Sequence, residues 1–465
     1  MLFNSLTFAL FIPTVVGLYW LSPARFRTFL LLAASYLFYG WWDARFLGLI
    51  LISTAVDFTV GRRLSLTDGA KQRKAWLLVS LVANLGMLGF FKYWSFFIES
   101  TASALSSLGL EPNLPLLQIV LPVGISFYTF QTLSYTIDIY RRQLDQEPSL
   151  IRFALFVAFF PQLVAGPIER ARHLLPQFRS LPSSVRQIDW AGSAGLIARG
   201  LFRKVVIADG LAPIVNQVFA TPGRYGSITV ALGVIAFSLQ IYGDFAGYTD
   251  IARGTARLFG VDLMENFNAP YLSRGFSEFW RRWHVSLSTW LRDYLYIPLG
   301  GNRGGLVAIA RNLMLTMLLG GLWHGAAWGF VVWGGLHGVY LIAERAVGNQ
   351  RHSGDKPVRH LPAALTFAVV TLTWIPFRAN SLSRAGDVFA ALFGPVTGVH
   401  LAAAPLVVGL MALLTLAIDR ETLDGAIDPM QRAPSFVRGL AYGGALVIAI
   451  LFASVSSVPF IYFQF

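Results

Sequence analysis

Apolar residues come in runs along the whole chain, at about 7–21, 26–42, 46–60, 76–91, 116–139, 151–165, 228–242, 306–347, 361–377, 401–418 and 440–456. A bilayer crossing needs roughly 20 mostly apolar residues, so these runs predict about ten to twelve crossings or partial crossings. Several are shorter, which predicts tilted, re-entrant or simply buried pieces. The pattern is that of an all-α polytopic membrane protein. No internal repeat and no low-complexity linker divides the chain, so a single integral-membrane domain over 1–465 is expected.

Composition agrees with the pattern. Of 465 residues, 55% are hydrophobic and 13% charged, about half the charged fraction of soluble domains. Mean hydropathy is +0.58. The first run has no basic lead-in and no small-residue cleavage site after it, so it reads as a retained span, not a signal peptide. There is no cysteine, which excludes disulfides, thiolate metal ligands, palmitoylation and a cysteine acyl shuttle in this chain. The net charge of +13 reads as topology. Arg25 and Arg27 follow the first run. Arg62, Arg63, Lys71, Arg73 and Lys74 follow the third, and Arg141, Arg142 and Arg152 the fifth. The loops between are poor in basic residues, which predicts an N-terminus outside, through five spans. Charges confined to loops between apolar runs argue against nucleic acid and leave membrane lipids as the charged neighbours.

One stretch is too polar to span: "YLSRGFSEFWRRWHVSLSTWLRDYLYIPLGGNRGG", residues 271–305. At 100° per residue, Trp280, Trp283, Leu287, Trp290 and Tyr294 share one helical face. Arg281, His284, Ser288 and Arg292 share the opposite face. This predicts an interfacial helix over 276–296, aromatics toward lipid or core and cations toward head groups or an anionic ligand. Pro298 and the following glycines end it. Either the polar face is merely solvated, or Arg281, Arg282, Ser288 and Arg292 form a patch for a phosphate-bearing ligand with His284 at its centre.

A second stretch, "GGLWHGAAWG" at 320–329, buries a histidine in glycine, alanine and tryptophan, with no charge between Arg311 and Glu344. Gly321, Gly325 and Gly329 form a small-residue row that admits a close neighbour helix. An ionisable group at membrane depth is expensive and points to function. The bland alternative for His324 is a neutral imidazole hydrogen-bonded between helices. Burial favours the neutral form, which suits a general base.

Together these motifs resemble the membrane-bound O-acyltransferases (MBOAT), in the bacterial branch whose membrane subunits acetylate alginate, cellulose or peptidoglycan. The resemblance runs through "YGWWDARFLGLILISTAVDF", "LPVGISFYTFQTLSYTIDIYRR", "FPQLVAGPIER", "QIYGDFAGYTDIARGTARLFG", "ENFNAPYLSRGFSEFWRRWHVSLSTWLRDYLYIPLGG", "GGLWHGAAWGFVVWGGLHG" and "WIPFRANS". It implies a ring of tilted helices, with re-entrant and interfacial ones, around a central tunnel. N-terminal helices would occupy 1–150, a catalytic core 151–345 and C-terminal helices 346–465. His324 matches the family's membrane histidine, and His284 its second polar position. The donor implied is cytoplasmic acetyl-CoA. The acceptor implied is a hydroxyl of an extracellular or periplasmic polysaccharide, reached through a periplasmic SGNH-hydrolase-like acetyltransferase or other exopolysaccharide-synthesis proteins. The location implied is the bacterial inner membrane.

Acyl transfer to an alcohol needs a base, a donor for the developing oxyanion, and exclusion of water. His324 and His284 are the catalytic candidates, with either able to be the base and an acetyl-histidine intermediate open. Trp283, Trp323, Asp244, Asn266 and His337 are candidate supporting residues. His337 lies 13 positions after His324, which on one unbroken helix is about 220° away. A bend at Gly334 and Gly335 would be needed to bring it near. Asp244 and Asp250 read equally well as a helix-packing network. Asp57 beside Arg62 and Arg63, and Asp138 beside Arg141 and Arg142, read as helix-end ion pairs. Asn266 and Asn268 read as turn formers before Pro270. No metal motif is visible. Two alternatives stay open: transfer of D-alanine or another acyl group from a carrier protein, and proton-coupled transport through the histidines.

Overall fold

The computed structural model describes residues 1–110, 119–163, 166–348 and 361–423, with isolated positions 114, 117, 434, 436, 437, 439, 440, 443, 444 and 461. The run at 440–456 lies almost wholly outside them, as do His352 and His360. The described residues are helical and contain no strand beyond an isolated bridge between Tyr225 and Val399. Four helical stretches among them are long and apolar enough to cross a bilayer: Ala44–Ser65, Ala70–Ser107, Ser227–Arg257 and Leu306–His324. Leu6–Leu21, Leu150–Leu163 and Ala363–Arg378 are shorter apolar helices. The chain folds as two compact units, Met1–Ser193 with Thr255–Met264, and Ala194–Gly254 with Glu265–Phe465.

The first unit contains α1 (Leu6–Leu21), α2 (Ala24–Gly40), α3 (Leu47–Ser65), α4 (Ala70–Leu88), α5 (Trp94–Ser107), α6 (Ile125–Tyr140), α7 (Leu150–Ala158), α8 (Phe160–Leu163) and α9 (Ala171–Arg179). Its apolar core is aromatic. Phe160 packs on Phe11 and Phe38 at 5.3 and 5.5 Å, and Tyr19 packs on Phe259 at 5.1 Å. The separations and tilted or edge-on ring geometries are those aromatic pairs favour.

Between α3, α4 and α6 lies a fully buried polar cluster. Ser80 Oγ donates to Asp57 Oδ1 at 2.6 Å, and Asn84 Nδ2 donates to Asp57 Oδ2 at 2.9 Å. Ser53 donates to Asn84 Oδ1 at 2.7 Å, and Thr136 lies 3.0 Å from Ser80. This corrects the pairing expected for Asp57. Arg62 and Arg63 are five and six positions on, which is a different side of the helix, and both are exposed. A buried carboxylate must have donors close by, and the neighbouring helices supply them. At the rim of this unit, His173 on α9 holds Glu169 at 2.8 Å, and the buried Glu169 also accepts the Met264 N–H at 2.6 Å.

The second unit contains most of α10 (Trp190–Leu201) and of α12 (Ser227–Arg257), with α11 (Asp209–Ala220), α13 (Phe276–Arg282), α14 (Val285–Leu291), α15 (Leu306–His324), α16 (Trp328–Gly348), α17 (Ala363–Arg378), α18 (Leu382–Leu392) and α19 (Ala404–Leu423). A π-helical turn, Phe202–Ala208, joins α10 to α11 and carries Arg203 and Lys204. Both face acids. Lys204 Nζ sits 2.8 Å from Asp209 and 2.8 Å from Asp244. Arg203 bridges Asp250 and Asp419 at 2.7 and 3.2 Å, and Arg199 reaches Asp250 at 2.8 Å.

Two predicted elements are divided. The run at 306–347 is a helical hairpin. α15 ends at His324, Gly325 is extended (φ −162°, ψ 152°), and α16 returns from Trp328. A Cβ on Gly321 would strike the carbonyl oxygen of Phe330, and one on Gly334 that of Met317, so the two helices touch backbone to backbone. The interfacial helix over 276–296 is likewise broken, into α13, α14 and a π turn at Arg292–Tyr296.

Asp57→Ala should lower unfolding stability by about 2 kcal/mol, because it strands buried donors of Ser80 and Asn84. Asp57→Asn should cost less. Thermal or denaturant unfolding in detergent measures both. The Glu169 carboxylate holds the His173 imidazole above its ordinary value, by hydrogen bond and charge. The ion pair therefore stabilises below the ordinary histidine value and fades as pH rises through the raised one. His173→Ala should destabilise at pH 6 more than at pH 9, by under about 1 kcal/mol because the ring is partly exposed and screened. Melting curves at the two pH values decide the sign.

Candidate active site

α13 closes with the Trp283 N–H on the Phe279 carbonyl at 2.8 Å, and α14 opens with the Ser288 N–H on the His284 carbonyl at 2.9 Å. Between them Trp283 is extended and His284 is left-handed, with φ 42° and ψ 53°. For a residue with a Cβ this conformation costs about 1–2 kcal/mol. It reverses the expected direction of the side chain. The helical wheel puts His284 on the polar face with Arg281, Ser288 and Arg292. The break turns it inward, to 0% exposure.

His284 meets His324 there. Their ring centroids are 6.0 Å apart. His324 is the last residue of α15, delivered to the site by the turn at Gly325, and is 4% exposed. Aromatic rings enclose the pair. Phe245 lies edge-on to His284 at 4.6 Å, and Trp323 lies 5.7 Å from it. Trp333 is perpendicular to His324 at 5.1 Å, and Phe377 is 5.5 Å away. Trp374 packs on both Trp333 and Trp283, at 5.6 and 5.0 Å. Neither nitrogen of His284 makes a hydrogen bond among the described residues, and the same holds for the buried indole N–H groups of Trp283, Trp333 and Trp374. Burial holds the His284 imidazole well below its ordinary value, so it is neutral. Native proteins rarely leave buried polar atoms without partners. Several together in one apolar cage suit a ligand that brings acceptors and a transferable proton.

His337 is fully buried too, but its nitrogens are occupied. The Trp280 indole can only donate, and it reaches His337 Nδ1 at 3.3 Å. Nε2 therefore carries the proton and donates to Thr373 Oγ1 at 3.0 Å. His337 is a neutral brace joining α13, α16 and α17, and Trp333 separates it from His324 by ring contacts of 4.9 and 5.1 Å. The hairpin, and not a bend at Gly334 and Gly335, brings it into this region.

The cationic candidates stay at the surface. Arg281 is exposed, Arg282 pairs with Glu278 at 2.8 Å, and Arg292 pairs with Asp293 at 2.7 Å. Ser288 Oγ donates to the Trp283 carbonyl at 3.0 Å and so caps the break locally. His284 is thus not the centre of an arginine patch, because the chain reverses between them. Asp244 belongs to the Lys204 network on α12. Asn266 is buried against the start of α14. Trp283 and Trp323 both pack in the cage. Phe245, Trp333, Trp374 and Phe377 were not singled out from sequence. The last two sit in "WIPFRANS", where a Trp and a Phe three apart on one helical face could have flagged them. Among the described residues no group of three or more His, Asp or Glu side chains could hold a metal.

Comparison with known proteins matches residues 128–382 to MBOAT, the membrane-bound O-acyltransferase family. The chain is 46% identical over 396 residues to a probable alginate O-acetylase AlgI of Azotobacter vinelandii, covering 84% of this chain and 78% of that protein. It is 39% identical, over 100% of both chains, to the protein of the same name in Pseudomonas putida. A peptidoglycan O-acetyltransferase of Helicobacter pylori is 35% identical over 80% of this chain and 74% of its own length. Teichoic acid D-alanyltransferase of Streptococcus thermophilus is 28% identical over 61% of this chain and 75% of its own length. This all-α membrane protein is an O-acyltransferase and belongs to the membrane-bound O-acyltransferase family.

Proposed function

We propose that the enzyme moves acetyl from cytoplasmic acetyl-CoA to a hydroxyl of an extracellular or periplasmic polysaccharide such as alginate, directly or through a periplasmic acetyltransferase partner. The observation that carries this is the convergence of two buried histidines, with ring centroids 6.0 Å apart, in an aromatic cage. At that separation the two rings are close enough to act on one reacting group. The names of the alginate and peptidoglycan relatives favour acetyl as the group and a glycan as the acceptor. The alternation of basic loops supports an inner-membrane protein whose N-terminus faces the periplasm.

In this mechanism His324 takes the proton of the acceptor hydroxyl as its oxygen attacks the thioester carbonyl. His284, neutral and carrying one N–H, stabilises the oxyanion or orients the thioester. Collapse expels the coenzyme A thiolate, and the His324 imidazolium returns the proton to that sulfur. No net charge remains on the enzyme. The indole N–H groups of Trp283, Trp333 and Trp374 are the donors available to carbonyl oxygens of the bound donor. Exposed Arg281 and Arg292 are the cations available to its phosphates. The aromatic walls exclude water, which would otherwise hydrolyse the thioester.

Purified protein with radiolabelled acetyl-CoA tests this. His324→Ala should cut turnover by about 10²- to 10⁴-fold, with folding and coenzyme A binding retained. His284→Ala should also impair turnover strongly. Label trapped on wild type but absent from His324→Ala would assign a covalent relay to that ring. If wild type neither binds nor cleaves acetyl-CoA with its genomic neighbours supplied, the acetyl donor is wrong and carrier-linked D-alanine moves forward. His337→Ala should behave differently. It removes a brace, so thermal stability should fall while turnover of the folded fraction drops by less than about tenfold.

A further inference from the structure

We propose that Asn266 is a positioning residue that holds His284 toward His324 by capping α14 from outside the helix. The proposal rests on acetyl transfer at the site the two histidines form. The first amides of a helix have no internal partner. Usually the residue at the cap is Ser, Thr, Asp or Asn, and its own side chain accepts one of them. Here the cap residue is His284, and its side chain does not cap. Asn266 takes over both bonds. Its carbonyl accepts the Val285 N–H at 3.0 Å, and its side-chain Oδ1 accepts the Ser286 N–H at 3.2 Å. The imidazole is thereby released from a local structural duty and left for chemistry.

The same loop grips the other side of the break. The Asn268 N–H donates to the Arg282 carbonyl at 3.0 Å, and Arg282 Nη1 donates back to the Asn268 carbonyl at 3.2 Å. Residues 266–268 therefore bracket Trp283 and His284 on both flanks, fixing the left-handed step between α13 and α14. The remaining amide of Asn266 points to α12, with Nδ2 3.4 Å from Thr249 Oγ1. Thr249 lies one turn beyond Phe245, whose ring rests 4.6 Å from His284. One face of α12 thus contacts the imidazole and steadies the residue that aims it. Asn266 is 0% exposed. It is more than a turn former before Pro270, since its side chain bonds two elements outside its own loop.

Two readouts test this on the full-length protein in detergent. In Asn266→Ala, amide exchange of the peptide covering Val285–Leu291 should accelerate, while α15 and α16 stay protected. Its kcat for acetyl-CoA cleavage should fall about 10- to 100-fold, as for a misplaced catalytic group, with KM for acetyl-CoA within about twofold. Asn266→Asp keeps the acceptor for Ser286 and should restore both the protection and most of kcat. Unchanged exchange in Asn266→Ala would overturn the cap. Changed exchange with unchanged kcat, or a loss that Asn266→Asp does not rescue, would overturn the positioning role. If wild type fails to turn over acetyl-CoA, the donor assignment fails by itself, and the exchange measurement still decides the cap.

Discussion

The candidate active site hangs on a two-residue interruption of a polar helix. Were 276–296 continuous, His284 would sit on the same face as Arg281 and Ser288, at the edge of the aqueous phase. The left-handed step at His284 costs about 1–2 kcal/mol locally and breaks the regular hydrogen-bond ladder. What it gains is a change of side. The chain keeps its arginines at the surface and sends the one imidazole between them into an apolar cage. Strain of this kind persists only when the surroundings over-determine it. Here they do, through hydrogen bonds from 266–268 on both flanks and through close aromatic packing of Trp283.

The same logic explains the charges on α12. A buried ion is costly unless paired and hydrogen-bonded, and at membrane depth there is no water to relieve it. Yet Asp244 and Asp250 lie less than two turns apart on this helix, each held by a basic side chain of the π turn at Phe202–Ala208. Asp250 is shared by Arg199 and Arg203, and Tyr242 donates to Asp419 at 2.6 Å. A π turn adds a residue to the helix and re-aims its side chains, which lets Arg203 and Lys204, adjacent in sequence, each meet acids on α12. These bonds fix the rotation of the helix, and with it Phe245 and Thr249, which face the histidine site. The network is thereby tied to the candidate site through the geometry of α12.

Much of this was legible in the sequence, and the parts that were not share a cause. The apolar runs predict helices because membrane burial demands internally bonded backbone. His324 is legible because an ionisable side chain in a glycine- and tryptophan-rich run has few bland explanations. What sequence periodicity misses is anything set by a partner distant in the chain. The helix break carries no glycine or proline at its centre. Its determinant, Asn266, belongs to a different motif and looks like an ordinary turn residue. Sequence proximity pairs Asp57 with Arg62 and Arg63, whereas Ser80 and Asn84 on α4 hold it. The hairpin at Gly325 was hidden because both of its helices are apolar, so the hydrophobic run continues through the turn.

Three histidines of this chain are each read differently by their surroundings, although the side chain is the same. His173 sits half in water beside Glu169 and can carry charge. His284 and His337 are both 0% exposed, so burial alone does not tell the two apart. Hydrogen bonding does. A donor-only indole on Nδ1 and a hydroxyl on Nε2 fix the tautomer of His337, and both of its nitrogens are spent on joining three helices. A proton could not be moved there without breaking the brace. His284 is surrounded by ring faces and edges, and among the described residues neither of its nitrogens makes a hydrogen bond. Asn266 caps α14 in place of His284, by accepting the Val285 and Ser286 N–H groups, and the imidazole has no such local task. That combination suits a site whose remaining partners come with a ligand.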